Sequence, residues 1–226
     1  MSLRSRLILR FSLALPIAAA ILFIPAGTWR YWQGWTFLAV IFTYASGAFV
    51  YLYKHDRELL ERRLRSKEKI SEQRRLIRWL KSVFFVGALL PGFDYRLGWS
   101  RRLLGVVPVW LSVIAEVLVV CGLLLVFWVL KVNRFASRTI EVESGQRVVS
   151  SGPYALVRHP MYSGSLLMWL SVPLALGSYV AWPAFALLIP FYVYRLLNEE
   201  KFLRKELPGY SEYCLRTPFR LVPHVW

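Results

Sequence analysis

Runs of apolar residues close to 20 long recur along this chain and constrain its fold more than any other feature. A bilayer core offers no water to backbone N–H and C=O groups, so about 20 consecutive apolar residues read as a membrane-crossing helix. Six such segments are present, at about 7–26, 35–53, 79–95, 106–130, 164–180 and 183–197. The third is short for a span. The last two form a tight pair joined by a brief turn over 177–181, with Pro183 opening the return. The expected fold is all-α, a polytopic transmembrane helical protein of about 5–6 spans. Basic residues precede the first segment, as in a signal peptide. No small-residue cleavage signature follows before the Trp-rich stretch 28–35, so the segment is expected to be retained as a helix.

The formal net charge of +16 invites a nucleic-acid partner, but its distribution argues against one. Basic residues lie between the apolar segments, where they orient a membrane protein. With a cytoplasmic N-terminus and all segments crossing, the inner stretches hold 3, 11, 5 and 6 Lys/Arg in chain order. Only Arg30, Arg96, Arg101 and Arg102 of the 29 remain outside. The expectation is an integral protein of the inner or plasma membrane with both termini cytoplasmic, contacting membrane lipids and no nucleic acid. Two regions follow: 1–105, the N-terminal helices with a basic cytoplasmic linker at 54–81, and 106–226, the functional core. In the linker Glu58, Glu61, Arg62 and Arg65 stand at helical spacing. They imply a charged helix along the inner leaflet, either orienting the chain or docking a partner. Cys121 falls in an apolar span and Cys214 in the tail, so no disulfide is expected, and neither has metal-ligand spacing.

Polar side chains are costly in lipid, so where they gather points to function. The densest cluster runs from Asn133 to Gly164 on the cytoplasmic side. It includes Ser150-Ser151-Gly152-Pro153-Tyr154 and Arg158-His159-Pro160-Met161-Tyr162-Ser163-Gly164. Gly152-Pro153 marks a turn, and Pro160 suits the first turn of a helix that starts near it. His159 and Tyr162 then stand at a helix N-terminus, where backbone donors favour an anionic group. Any one of Tyr154, His159 and Tyr162 reads as an interfacial anchor; together, flanked by Gly152 and Gly164, they read as a site. A second cluster closes the last apolar segment, with Arg195, Asn198, Glu199 and Glu200 followed by Pro208-Gly209-Tyr210 and Tyr213. Arg195 and Glu199, four apart, share a helix face. The short turn before that helix returns them beside His159 and Tyr162. Glu116 is alone in the fourth segment, either a functional carboxylate or a neutral one facing a neighbouring helix. Dinucleotide-binding and phosphate-loop glycine patterns are absent, as are a zinc-protease motif and a Ser or Cys nucleophile with a plausible base.

On these residues the chain resembles the isoprenylcysteine carboxyl methyltransferase family and its bacterial and archaeal relatives, and phospholipid N-methyltransferases share part of the pattern. The resemblance rests on the run 145–154 (Gly-Gln-Arg-Val-Val-Ser-Ser-Gly-Pro-Tyr), the run 158–164, and Arg195 with Glu199-Glu200. It continues through Leu203, Pro208-Gly209-Tyr210 and Tyr213, and an Asn133-Arg134-Phe135 approach precedes it. It covers roughly 106–226.

The resemblance implies S-adenosylmethionine bound without a Rossmann fold, in a cytoplasm-facing pocket capped by the C-terminal segment. Cofactor contacts would come from Gln146, Arg147, Val148, Val149, Tyr154, His159, Pro160, Met161, Tyr162 and Glu199. Arg195 would face a lipophilic or small methyl acceptor, and Glu200 or His159 would take the proton of an amine or thiol acceptor. Carboxyl O-methylation of an isoprenylcysteine-like carboxylate leads; phospholipid N-methylation and thiol S-methylation are the alternatives. The eukaryotic enzymes carry His where Gln146 stands here.

Two other classes stay open. Membrane sterol reductases have a related helical core and an Arg-His motif but bind NADPH, and their pattern places Asn before the Tyr where Met161 stands here. An inactive relative would keep the fold without the site.

Overall fold

A computed structural model describes residues 3–64, 71–133, 135 and 146–226, which contain helices and connections and no strand. The motif residues Arg134 and Gly145, and the linker residue Arg65, lie outside the described residues. Helices α1 (Leu3–Ala26) and α2 (Trp32–His55) are followed by α3 (Arg57–Leu64), whose first turn is capped by Asp56 Oδ1 accepting from Leu59 N at 3.0 Å. The charged linker is thus helical over Arg57–Leu64. Beyond it come α4 (Ser71–Leu97), α5 (Trp99–Leu103), α6 (Val109–Val132), α7 (Pro160–Ala175), α8 (Trp182–Ala186), α9 (Leu188–Glu206) and α10 (Tyr210–Arg216).

Two of these helices, α2 and α6, are long and apolar enough to cross a membrane, and Ser12–Ala26 is a shorter apolar helix. Their apolar surfaces are largely outward: Trp110, Val113, Val117, Leu124 and Trp128 on α6 are all exposed. Contiguous surface of that kind belongs against lipid. The other apolar segments take different shapes for local reasons. Segment 164–180 becomes the 16-residue α7, which contains Pro173 and ends before Gly177 at φ +70°. Segment 183–197 divides between α8 and the start of α9, whose second half is charged, and segment 79–95 lies inside the longer α4.

The most extensive interface joins α6 to α7. Glycines allow it: a Cβ on Gly122 would come 2.5 Å from the Gly164 carbonyl and 2.8 Å from the Met168 nitrogen. Small residues let helix backbones approach where apolar burial alone cannot distinguish protein from lipid. Val119, Ala115, Val172, Ala175 and Leu176 fill the core around this contact, and Leu22, Phe23 and Tyr31 extend it towards α1 and α2.

At the other end of α7 a buried carboxylate pins the turn into α8. Asp94 Oδ1 accepts from Ser100 N at 2.7 Å, and Oδ2 accepts from the Ser100 and Ser178 hydroxyls. Ser100 Oγ in turn accepts from Tyr179 N and Val180 N at 2.9 and 3.1 Å. The α4–α5 and α7–α8 connections are thereby one unit. Elsewhere Glu116 has a partner across the helix interface, accepting from Thr36 Oγ1 of α2 at 2.5 Å.

Gly122→Ala should therefore lower thermal stability in detergent by about 1–3 kcal/mol, because the added methyl meets backbone on α7. Gly47→Ala, where nothing lies within 4 Å, should be neutral or stabilising by roughly 0.5–1 kcal/mol. Equal losses in the two variants would refute the close α6–α7 contact.

Candidate functional site

The extended stretch from Gln146 reaches a 3-10 turn at Gly152–Ala155. Gly152 has φ +60°, and a Cβ there would lie 3.1 Å from Val132 Cγ2, so both conformation and space favour glycine. The turn sets Tyr154, whose hydroxyl accepts from Asn133 Nδ2 at 2.9 Å and whose carbonyl accepts from Tyr213 Oη at 2.7 Å. Beyond it Arg158 N and His159 N donate to the carbonyls of Phe219 and Arg220, at 2.9 and 3.0 Å. The C-terminal segment is thus laid beside the start of α7. Pro160 begins that helix, as its position implied.

The turns through α8 return the chain, and α9 presents Arg195 and Glu199 to the start of α7. Tyr162 Oη donates to Glu199 Oε2 and accepts from Arg195 Nε at 3.2 Å. The His159 ring lies parallel to Tyr162, with centroids 5.6 Å apart and planes 6° apart. The juxtaposition expected from helix spacing and a short turn is present.

These groups open on a cleft with about 900 Å³ of empty volume, the open solvent at its mouth included. Gln146, Arg147, Val148, Val149 and Tyr154 form one side of its lining. His159, Met161 and Tyr162 line it from α7, and Arg195 and Glu199 from α9. Two of the expected site residues are elsewhere. Pro160 is fully buried at the helix start and does not line the cleft. Glu200, one residue beyond Glu199, points about 100° further round the helix and does not line it either.

Sequence reasoning assigned no role to several residues that do line the cleft: Asn133, Phe135, Arg158, Leu203, Leu207, Tyr210 and Tyr213. Most stand within the runs that carry the family resemblance. Leu203 had its own signal, since 195, 199 and 203 are spaced by four and share one face of α9, whereas Leu207 follows the helix end in extended backbone.

Glu200 is 4% exposed and holds the site together from behind. Its Oε1 accepts from Arg158 Nε at 2.6 Å and lies 3.3 Å from His159 Nε2, while Oε2 accepts from Arg220 Nε at 3.2 Å. Arg158 Nη1 also donates to the Thr217 and Pro218 carbonyls, at 3.0 and 2.9 Å. Burial by itself would raise the Glu200 carboxyl, but hydrogen bonds from His159 and Arg158 and the Arg158 charge override it and hold the group at about 2. A carboxyl depressed from its ordinary 4.5 in the fold contributes stability that is fully present above pH 4.5. That contribution is lost as pH falls through about 2. Thermal unfolding in detergent should find Glu200→Gln less stable than wild type at pH 6, with the difference closing between about pH 4.5 and 2. A difference that persists unchanged to the acid end would mean the ion pairs contribute nothing.

Residues 110–208 match the phospholipid methyltransferase family model. Delta(14)-sterol reductase of Mus musculus is 35% identical over 94 residues, which are 39% of this chain and 22% of that protein. The cobalt-zinc-cadmium resistance protein CzcN of Cupriavidus metallidurans is 40% identical over 76 residues, 31% of this chain and 33% of that protein. The chain therefore spans between about a fifth and a third of the length of these curated relatives. The matched region carries α6 from its second residue, α7, α8 and α9 in full and most of the cleft lining, and with the apolar helices the match supports a membrane methyltransferase.

Proposed function

We propose that the protein is an integral membrane methyltransferase that uses S-adenosylmethionine and methylates a lipophilic or small acceptor. The observation that carries this reading is the Arg195–Tyr162–Glu199 chain at the charged end of a cleft whose opposite wall is apolar and aromatic. The residues present fit the cofactor in kind. Glu199 suits ribose hydroxyls or an ammonium group, and Arg195 is left to grip a carboxylate on the acceptor. The tyrosine faces and the Glu199 charge favour a cationic centre. When bound, S-adenosylmethionine supplies a methyl group already activated by its sulfonium charge.

The protein's own task is then alignment and exclusion of water. Arg195 orients the acceptor, and a carboxylate acceptor needs no base, which makes carboxyl O-methylation of the isoprenylcysteine type the leading reaction. Glu200, paired on both oxygens and held near 2, is a poor proton acceptor at neutral pH. Its role is to position Arg158 and His159. An amine of a phospholipid or a thiol would have to pass its proton to His159. In this reading the core is 106–226, the region 1–105 with its 54–81 linker anchors it, and the excess of Lys and Arg between the apolar segments turns both termini and the cleft to the cytoplasm of an inner or plasma membrane.

A reductase is the second reading, favoured by the stretch shared with the mouse sterol reductase. Calorimetric titration of detergent-purified protein with S-adenosylmethionine and, separately, NADPH decides between them. The methyltransferase reading expects binding of the former alone, and binding of NADPH alone would replace it. Glu199→Ala and His159→Ala should weaken S-adenosylmethionine at least about tenfold, as lost charged or buried contacts do. Arg195→Ala should keep binding and lose turnover. Loss of both by Arg195→Ala would move that residue to the cofactor.

A further inference from the structure

The two ends of the cleft ask for different chemistry. Arg195 and Glu199 make one end charged. Leu203, Leu207, Tyr210 and Tyr213 make the other apolar and aromatic, in a cluster that Val148, Tyr154 and Cys214 complete. A flat uncharged group fits the second end.

Its three tyrosines use their hydroxyls differently. Tyr213 donates to the Tyr154 carbonyl, and the Tyr154 hydroxyl accepts from Asn133. Tyr210 is 4% exposed, and its hydroxyl reaches no hydrogen-bond partner among the described residues. The Cys214 thiol one turn further on is close enough to interact with it, but sulfur is a weak acceptor. A buried hydroxyl left in this state is destabilising and calls for a reason. Burial and the nearby Glu200 push the phenol up, so at neutral pH it carries its proton and can donate. Its placement is built in: Gly209, at φ +83°, turns the chain out of α9 so that Tyr210 opens α10 against the cleft wall.

We propose that the Tyr210 hydroxyl is a ligand-reading donor, hydrogen-bonded to a ring nitrogen of a purine seated at the aromatic end of the cleft. A lipid chain in that place would leave the hydroxyl unpaired, and a ribose diol is better served by the Glu199 carboxylate. A purine offers both a face for the tyrosine rings and an in-plane lone pair for the donor. The inference rests on the reading of the cleft as a nucleoside-cofactor site, and the purine belongs equally to S-adenosylmethionine and to NADPH.

The test is Tyr210→Phe with two readouts. Calorimetry with both cofactors should show affinity for the one that binds falling about five- to tenfold, the size of one neutral hydrogen bond. Thermal stability without ligand should stay level or rise, since the change removes only an unpaired polar atom. A third arm uses wild-type protein with deaza analogues of S-adenosylhomocysteine, each with one ring nitrogen replaced by carbon. One analogue should bind several-fold more weakly to wild type and no more weakly still to Tyr210→Phe. Undiminished affinity in Tyr210→Phe, or an affinity loss matched by a fall in stability, overturns the donor role while leaving the cofactor reading intact. Failure of wild type to bind either cofactor overturns that reading and the purine site with it.

Discussion

Glu200 lies where three separate stretches of chain must meet, and the site depends on its carboxylate being satisfied there. It comes from α9, Arg158 and His159 come from the approach to α7, and Arg220 comes from the C-terminal segment. A buried carboxylate is tolerated only with partners in good geometry, so the pairings specify position as well as charge. Removing any of the three would leave ionised groups uncompensated. The backbone bonds from Arg158 and His159 to Phe219 and Arg220, and the Ser163 hydroxyl to the Leu221 carbonyl at 2.6 Å, run beside this network. Together they fix the mouth of α7 against the tail, and His159 and Tyr162 inherit that placement.

Adjacent residues on α9 thereby serve different purposes. Glu199 faces the cleft with Tyr162 and Arg195, while Glu200 faces protein. The helix rotation between them, about 100°, divides ligand chemistry from support. The glycine contact with α6 holds α7 near its first turns, and the Asp94 clasp holds its far end at the α7–α8 turn. With both ends of α7 fixed, the cleft can carry unsatisfied or charged groups without those groups having to organise the fold.

Much of this was legible in residue types and spacing. Apolar length announced the helices, Pro160 marked the start of α7, and Gly152 and Gly177 marked turns that both adopt positive φ. The four-residue spacing of Arg195 and Glu199 together with the brief turn before them implied the meeting with Tyr162. Other parts gave no local sign. Asp94 sits at the end of an apolar stretch, and its serine partners, six and 84 positions away, belong to no motif. Glu116 showed no partner in the sequence because Thr36 is 80 residues away on another helix. Glu200 read as a proton acceptor beside the cofactor contact Glu199, since nothing in one dimension shows Arg158, His159 and Arg220 gathered around it.

From its sequence alone the chain is a helical, lipid-embedded protein with a polar cluster on one side, because apolar run length and the cost of charge in lipid depend on composition along the chain and not on what it meets. Which carboxylate faces the cleft, which tyrosine hydroxyl lacks a partner among the described residues and which serines satisfy Asp94 were decided only by the tertiary structure. Hydrogen bonds and ion pairs are short-ranged and directional, and the groups that complete them come from helices far apart in the chain.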